Sequence, residues 1–68
     1  MSTVAPQYHA DDLLTVEDAA AYLHASRATV FRLIKSGDIK SIKVGKLRLI
    51  RFGVLVDFVH RREEKVSA

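Results

Sequence analysis

The 68-residue chain contains no cysteine, which excludes a disulfide framework and a thiolate metal site and fits a reducing compartment. No apolar run approaches the roughly 20 residues of a membrane span. The first 26 residues hold no Lys or Arg, so the basic start of a secretory signal is absent and a soluble, intracellular protein is expected. The three histidines, His9, His24 and His60, are scattered and lack cysteine companions, which leaves no zinc signature. No nucleophile and base can be matched by spacing. Gly45-Lys46 resembles the end of a phosphate loop, but Leu47 stands where Ser or Thr is needed. No metal, cofactor or enzymatic activity is therefore expected. A chain this short buries a modest core, which favours a binding module over a deep catalytic cleft.

What the sequence does have is basic charge in one block. Its formal net charge is +3, yet residues 1–26 carry four acids and no Lys or Arg. Residues 27–62 carry ten Lys and Arg against Asp38 and Asp57. Such a concentrated field attracts polyanions and provides sequence-independent affinity through counterion release. The basic residues do not line one long amphipathic helix, as a membrane-surface segment would require.

Residues 1–12 are mostly small and polar, with Pro6 and no periodicity, and are expected to form a flexible tail. After Leu13-Leu14, Thr15 can cap a helix whose first turn holds Glu17 and Asp18. Val16, Ala19, Ala20 and Leu23 then recur at helical spacing, predicting a first helix over 16–23. His24 and Ala25 form a tight turn, with His24 at positive φ. Ser26 caps a second helix that Gly37 ends. On that helix Val30, Leu33 and Ile34 form an apolar face, and Ala28, Arg32 and Lys35 form the opposite one. Two helices joined this closely make a helix-turn-helix. The second is either a DNA-reading helix or an ordinary amphipathic helix with a solvated basic face.

Beyond Gly37 the period shifts to two. Ile42-Lys43-Val44 and Leu47-Arg48-Leu49 flank the turn Gly45-Lys46, predicting a hairpin. The alternation assigns Ile42, Val44, Leu47 and Leu49 to packing and Lys43 and Arg48 to the exposed face. The hairpin is either a DNA-binding wing or an ordinary hairpin with solubilising charges. Helical spacing returns over 53–62, with Leu55, Phe58, Val59 and Arg62 on one side. Val54 and Val56 are either incidental surface valines or a protein contact patch. Residues 63–68 are expected to fray. The expected fold is α+β: a small winged helix-turn-helix over residues 13–62, with two N-terminal helices, a two-stranded hairpin and a C-terminal helix.

The segments Leu14-Thr15-Val16-Glu17-Asp18-Ala19-Ala20, Ser26 through Gly37 and Val44-Gly45-Lys46 stand in an order and spacing that closely resemble the excisionase family. These are small winged-helix DNA-binding proteins related to the MerR-type helix-turn-helix. Departures are His24-Ala25, where the family usually has Gly and a β-branched residue, and Phe52-Gly53, where a more polar helix start is common. The resemblance implies a recombination directionality factor. Such a factor binds adjacent sites at a phage attachment site, bends the DNA, contacts a phage integrase and directs it toward excision; with no self-complementary dimer helix in the sequence, association of further copies is expected to be head-to-tail and DNA-dependent. It implies action at the nucleoid in a bacterial cytoplasm. The same domain serves small prophage or plasmid transcriptional regulators. A third reading is a protein-interaction adaptor that turns the basic surface toward an acidic partner. The implied DNA-binding set is Arg27, Ala28, Thr29, Phe31, Arg32 and Lys35 on the second helix and Lys43, Lys46 and Arg48 on the hairpin.

Overall fold

The computed structural model describes residues 8–66. Its elements, in chain order, are β1 (Leu13–Thr15), α1 (Val16–Leu23), α2 (Arg27–Ser36), β2 (Ile42–Val44), β3 (Leu47–Arg51) and α3 (Phe52–Val66). The fold is α+β, with three helices and one antiparallel sheet of order β1-β3-β2.

Local chemistry sets the helix ends as the sequence predicts. The Thr15 hydroxyl accepts from the Asp18 amide at 3.0 Å, and Ser26 Oγ accepts from the Thr29 amide at 3.1 Å. Each bond satisfies one of the amides that an α-helix leaves free at its start. His24 adopts φ 56°. Its amide donates to the Ala21 carbonyl and that of Ala25 to Ala20, the paired bonds of a Schellman stop. Gly37 ends α2 at φ 90°.

The sheet differs from the expected two-stranded hairpin. Leu13–Thr15 forms a third strand against β3, pairing Leu13 with Arg51, Leu14 with Ile50 and Thr15 with Leu49. Leu14 and Ile50 are fully buried, so their face of the sheet is the inner one. Side chains alternate along a strand. Arg48, two residues from Ile50, and its partner Lys43 therefore share the inner side. Ile42, Val44, Leu47 and Leu49 take the outer side, where Ile42, Val44 and Leu47 are exposed, Leu47 by 59%. The expected assignment of the two hairpin faces is thus inverted. The ladder with β1 fixes the register, and a strand's faces cannot be chosen independently of its neighbour.

The core comprises Leu14, Val16, Ala19, Ala20, Val30, Ile39, Ile50 and Leu55, to which every element except β2 contributes. Leu33, Ile34, Val54 and Phe58 pack against its margin. Among the described residues no polar or charged side chain is buried, so the side chains packed at the centre are all apolar.

At the chain ends, described elements lie beyond residues 13–62. Residues 1–7 lie outside the described residues, but residues 8–12 of the expected tail form a turn. The Ala10 and Asp12 carbonyls accept from the Gly53 and Phe52 amides at 2.9 and 2.8 Å. Backbone carbonyls thereby serve the start of α3, where Phe52-Gly53 offers no capping side chain. Phe52 lies between Tyr8 and Tyr22, with ring centroids 5.2 and 5.1 Å away. At the other end, α3 continues four residues past Arg62 to Val66, so residues 63–66 are helical; residues 67–68 lie outside the described residues.

Candidate nucleic-acid interface

At 100° per residue, Arg27, Phe31, Lys35, Ala28 and Arg32 fall within an arc of about 140° on α2. All five are exposed. The opposite arc carries Val30, Leu33 and Ile34, which anchor the helix on the core. Thr29 sits at the border. It is half-buried, and its hydroxyl lies 3.0 Å from Ser26 Oγ, so it belongs to the helix cap more than to the exposed arc.

The inverted hairpin completes this surface. Lys43 and Arg48 share the inner face of the sheet but lie beyond the core, where they overhang the starts of α1 and α2. A groove of about 360 Å³ results, bordered by Arg27 and Phe31 on α2, Lys43, Lys46 and Arg48 on the hairpin, and Glu17 on α1. The structure therefore brings together five of the nine predicted site residues. Ala28, Arg32 and Lys35 continue the surface along α2 outside the groove. Arg48 is half-buried, not fully exposed, and donates to Ser41 Oγ at 2.9 Å. That bond steadies a long side chain whose guanidinium otherwise loses conformational freedom when it meets a ligand.

Glu17 was not among the predicted site residues. Its Oε2 lies 2.8 Å from Arg27 Nε, and both side chains are about 60% exposed. The Arg27 guanidinium carbon is also 5.5 Å from the centroid of the Phe31 ring, within cation–π range. The sequence signal was present in the tight turn, which sets the starts of the two helices side by side. An acid in the first turn of α1 and a base in the first turn of α2 then become neighbours.

The basic block does not form one patch. Arg51 pairs with Asp11 at 3.3 Å, and Arg61 pairs with Asp57 at 3.2 Å while donating to the Asp38 carbonyl at 3.1 Å. Arg62 stacks over Phe58. Arg51 and Arg61 tie β3 and α3 to neighbouring loops, and the groove draws its positive charge from residues 27–48.

Residues 13–63 match a family described as a helix-turn-helix domain. The chain belongs to that family. It is a helix-turn-helix DNA-binding domain, in which α1 and α2 are the two helices of the motif. The chain is 39% identical over 56 residues to a protein of Saccharopolyspora erythraea named a probable excisionase, a match covering 82% of this chain and 57% of that one. It is 40% identical over 67 residues to uncharacterized proteins of Mycobacterium bovis and Mycobacterium tuberculosis, covering 97% of this chain and 56% of each. This helix-turn-helix chain thus spans a little over half the length of these relatives. No solved structure matches it at a significant level. Among the described residues no helix is long and apolar enough to cross a membrane.

Proposed function

We propose that this helix-turn-helix protein is an excisionase, a recombination directionality factor that binds and bends attachment-site DNA and directs a phage integrase toward excision in a bacterial cytoplasm. The observation that carries the DNA part of this reading is the groove in which α2 and the hairpin present Arg27, Lys43, Lys46 and Arg48 together. The recombination part draws its support from the relative named a probable excisionase and from the excisionase-like segments of the sequence.

In this mechanism α2 enters the major groove. Ala28 and Arg32 approach base edges, Thr29 stays at the helix start, and Lys35 holds a phosphate near the helix end. The hairpin acts as a wing along the adjacent minor groove or backbone, with Lys43, Lys46 and Arg48 neutralising phosphates. Several copies, head-to-tail on phased sites, impose a bend. Its elastic cost, of order 1–6 kcal/mol, is offset by protein–DNA and protein–protein contacts.

A salt-titrated gel shift with attachment-site and scrambled duplexes tests the DNA reading: binding strengthens as salt falls, and no shift at low salt overturns it. Recombination is tested separately, with the cognate integrase and paired attachment sites. Addition of this protein raises excision and lowers integration. Site-specific binding without any effect on either reaction favours a transcriptional regulator instead.

A further inference from the structure

The geometry points to Glu17, Arg27 and Phe31 as a reading site for one guanine base in the major groove, with Glu17 as the positioning residue. This inference rests on the DNA reading above and adds a base identity to it.

Three observations carry it. Arg27 Nε forms an ion pair 2.8 Å from Glu17 Oε2, and its terminal nitrogens have no partner among the hydrogen bonds and ion pairs of the described residues. Its guanidinium carbon lies over the Phe31 ring, 5.5 Å from the centroid, so an aromatic face flanks it on a second side. All three side chains border the groove shared with the hairpin. A guanidinium placed beside this carboxylate and ring presents a planar pair of N–H donors, which matches the O6 and N7 acceptors of guanine in the major groove.

The carboxylate decides between a base and a phosphate. Glu17 already sets one negative charge beside Arg27, and a phosphate would bring a second anion close to it. A guanine edge offers two acceptors without net charge and meets less repulsion from Glu17. Adenine presents a donor at N6 where guanine has O6, so two donors from Arg27 cannot both be satisfied there. The pair thus gives up phosphate affinity and gains base discrimination.

Selection of preferred duplexes from a random pool, followed by titration of single-base variants, tests the inference. The chains compared are wild type, Arg27→Lys and Glu17→Gln. Both positions are well exposed, so both variants keep the fold, which thermal melting checks. The wild type is expected to prefer a guanine at one position. Arg27→Lys keeps the charge but loses the planar fork, and relaxes that position by about 5- to 150-fold while leaving the others unchanged. Glu17→Gln frees Arg27 for phosphate, so affinity for scrambled DNA rises while preference for that guanine falls by about five-fold or more. A uniform loss on every sequence with Arg27→Lys, or an unaltered preference with Glu17→Gln, overturns this inference and leaves the DNA reading standing. If the wild type binds no duplex at low salt, both fail together; if it binds every duplex alike, only this inference fails.

Discussion

Leu14 lies directly opposite Ile50 in the β1–β3 ladder, and both side chains are excluded from solvent. This pair defines the inner face of the sheet and joins the segment before the helix-turn-helix to the strand before α3. Leu14→Ala or Ile50→Ala removes buried methyl groups from a small core and should cost about 2–5 kcal/mol. In a domain of this size that is a large part of the total stability. Denaturant unfolding of the two single variants and the double variant measures it. Because the residues touch, the double variant should lose less than the sum of the singles.

The outer face makes the opposite prediction. Val44 pairs with Leu47 at the hairpin tip, yet both are more than half exposed. Val44→Thr and Leu47→Ser should each change stability by no more than about 0.5 kcal/mol. A loss above 2 kcal/mol for Leu47→Ser would mean that the hairpin packs the other way round. The same titration that reports on Leu14 reads this outcome.

The two faces of the sheet differ in how far the sequence reveals them. The helices were legible because their ends carry chemistry of their own: Thr15 and Ser26 as caps, His24 and Gly37 as stops. Strand β1 was not legible. Three residues beside a strong helix start carry no detectable alternation, and their partner lies across 36 residues of chain. Without β1, pattern alone points the hairpin's apolar residues inward. The true constraint was Ile50, which the ladder places opposite Leu14. The site was affected in the same way: the basic residues were legible one by one, but Glu17 joined them only through the packing of α1 against α2.

The helix caps give independent tests of local stability. Thr15→Ala and Ser26→Ala each strand a first-turn amide and should cost about 1 kcal/mol. Conversely, His24→Gly relieves a side chain held at φ 56° and should leave stability unchanged or raise it by up to about 1 kcal/mol, the steric relief being partly offset by added freedom in the unfolded chain. Thermal unfolding of the three variants checks the signs. A destabilised His24→Gly protein would show that the added freedom of the unfolded chain, or a lost imidazole contact, outweighs the steric relief.

Gly53 is a tighter case. A Cβ built there would lie 3.2 Å from the Ala10 carbonyl oxygen, the same oxygen that accepts from the Gly53 amide. A larger side chain must push the residue 8–12 turn away from α3. Gly53→Val should therefore destabilise by about 1–3 kcal/mol. Amide hydrogen exchange should show the loss first at Phe52 and Gly53, whose protons bond to that turn. If exchange there is unchanged, the turn is not what holds the start of α3.

The division of labour between helix and hairpin can be read from salt dependence, on the proposed DNA interface. Arg32 stands on the exposed arc of α2, one position beyond Phe31, and has no hydrogen-bond or ion-pair partner among the described residues, which suits a side chain that reaches a base edge. Lys46 sits in the hairpin turn and offers a compact charge suited to phosphate. Arg32→Ala should weaken binding to the preferred site by about 1–3 kcal/mol and relax one base position. Lys46→Ala should weaken all sequences alike and lower the slope of log affinity against log salt by about 1. Gel shifts at three or more salt concentrations separate the two effects. Identical, sequence-independent losses for both variants would place Arg32 on the backbone and leave base recognition to the other residues of the α2 arc.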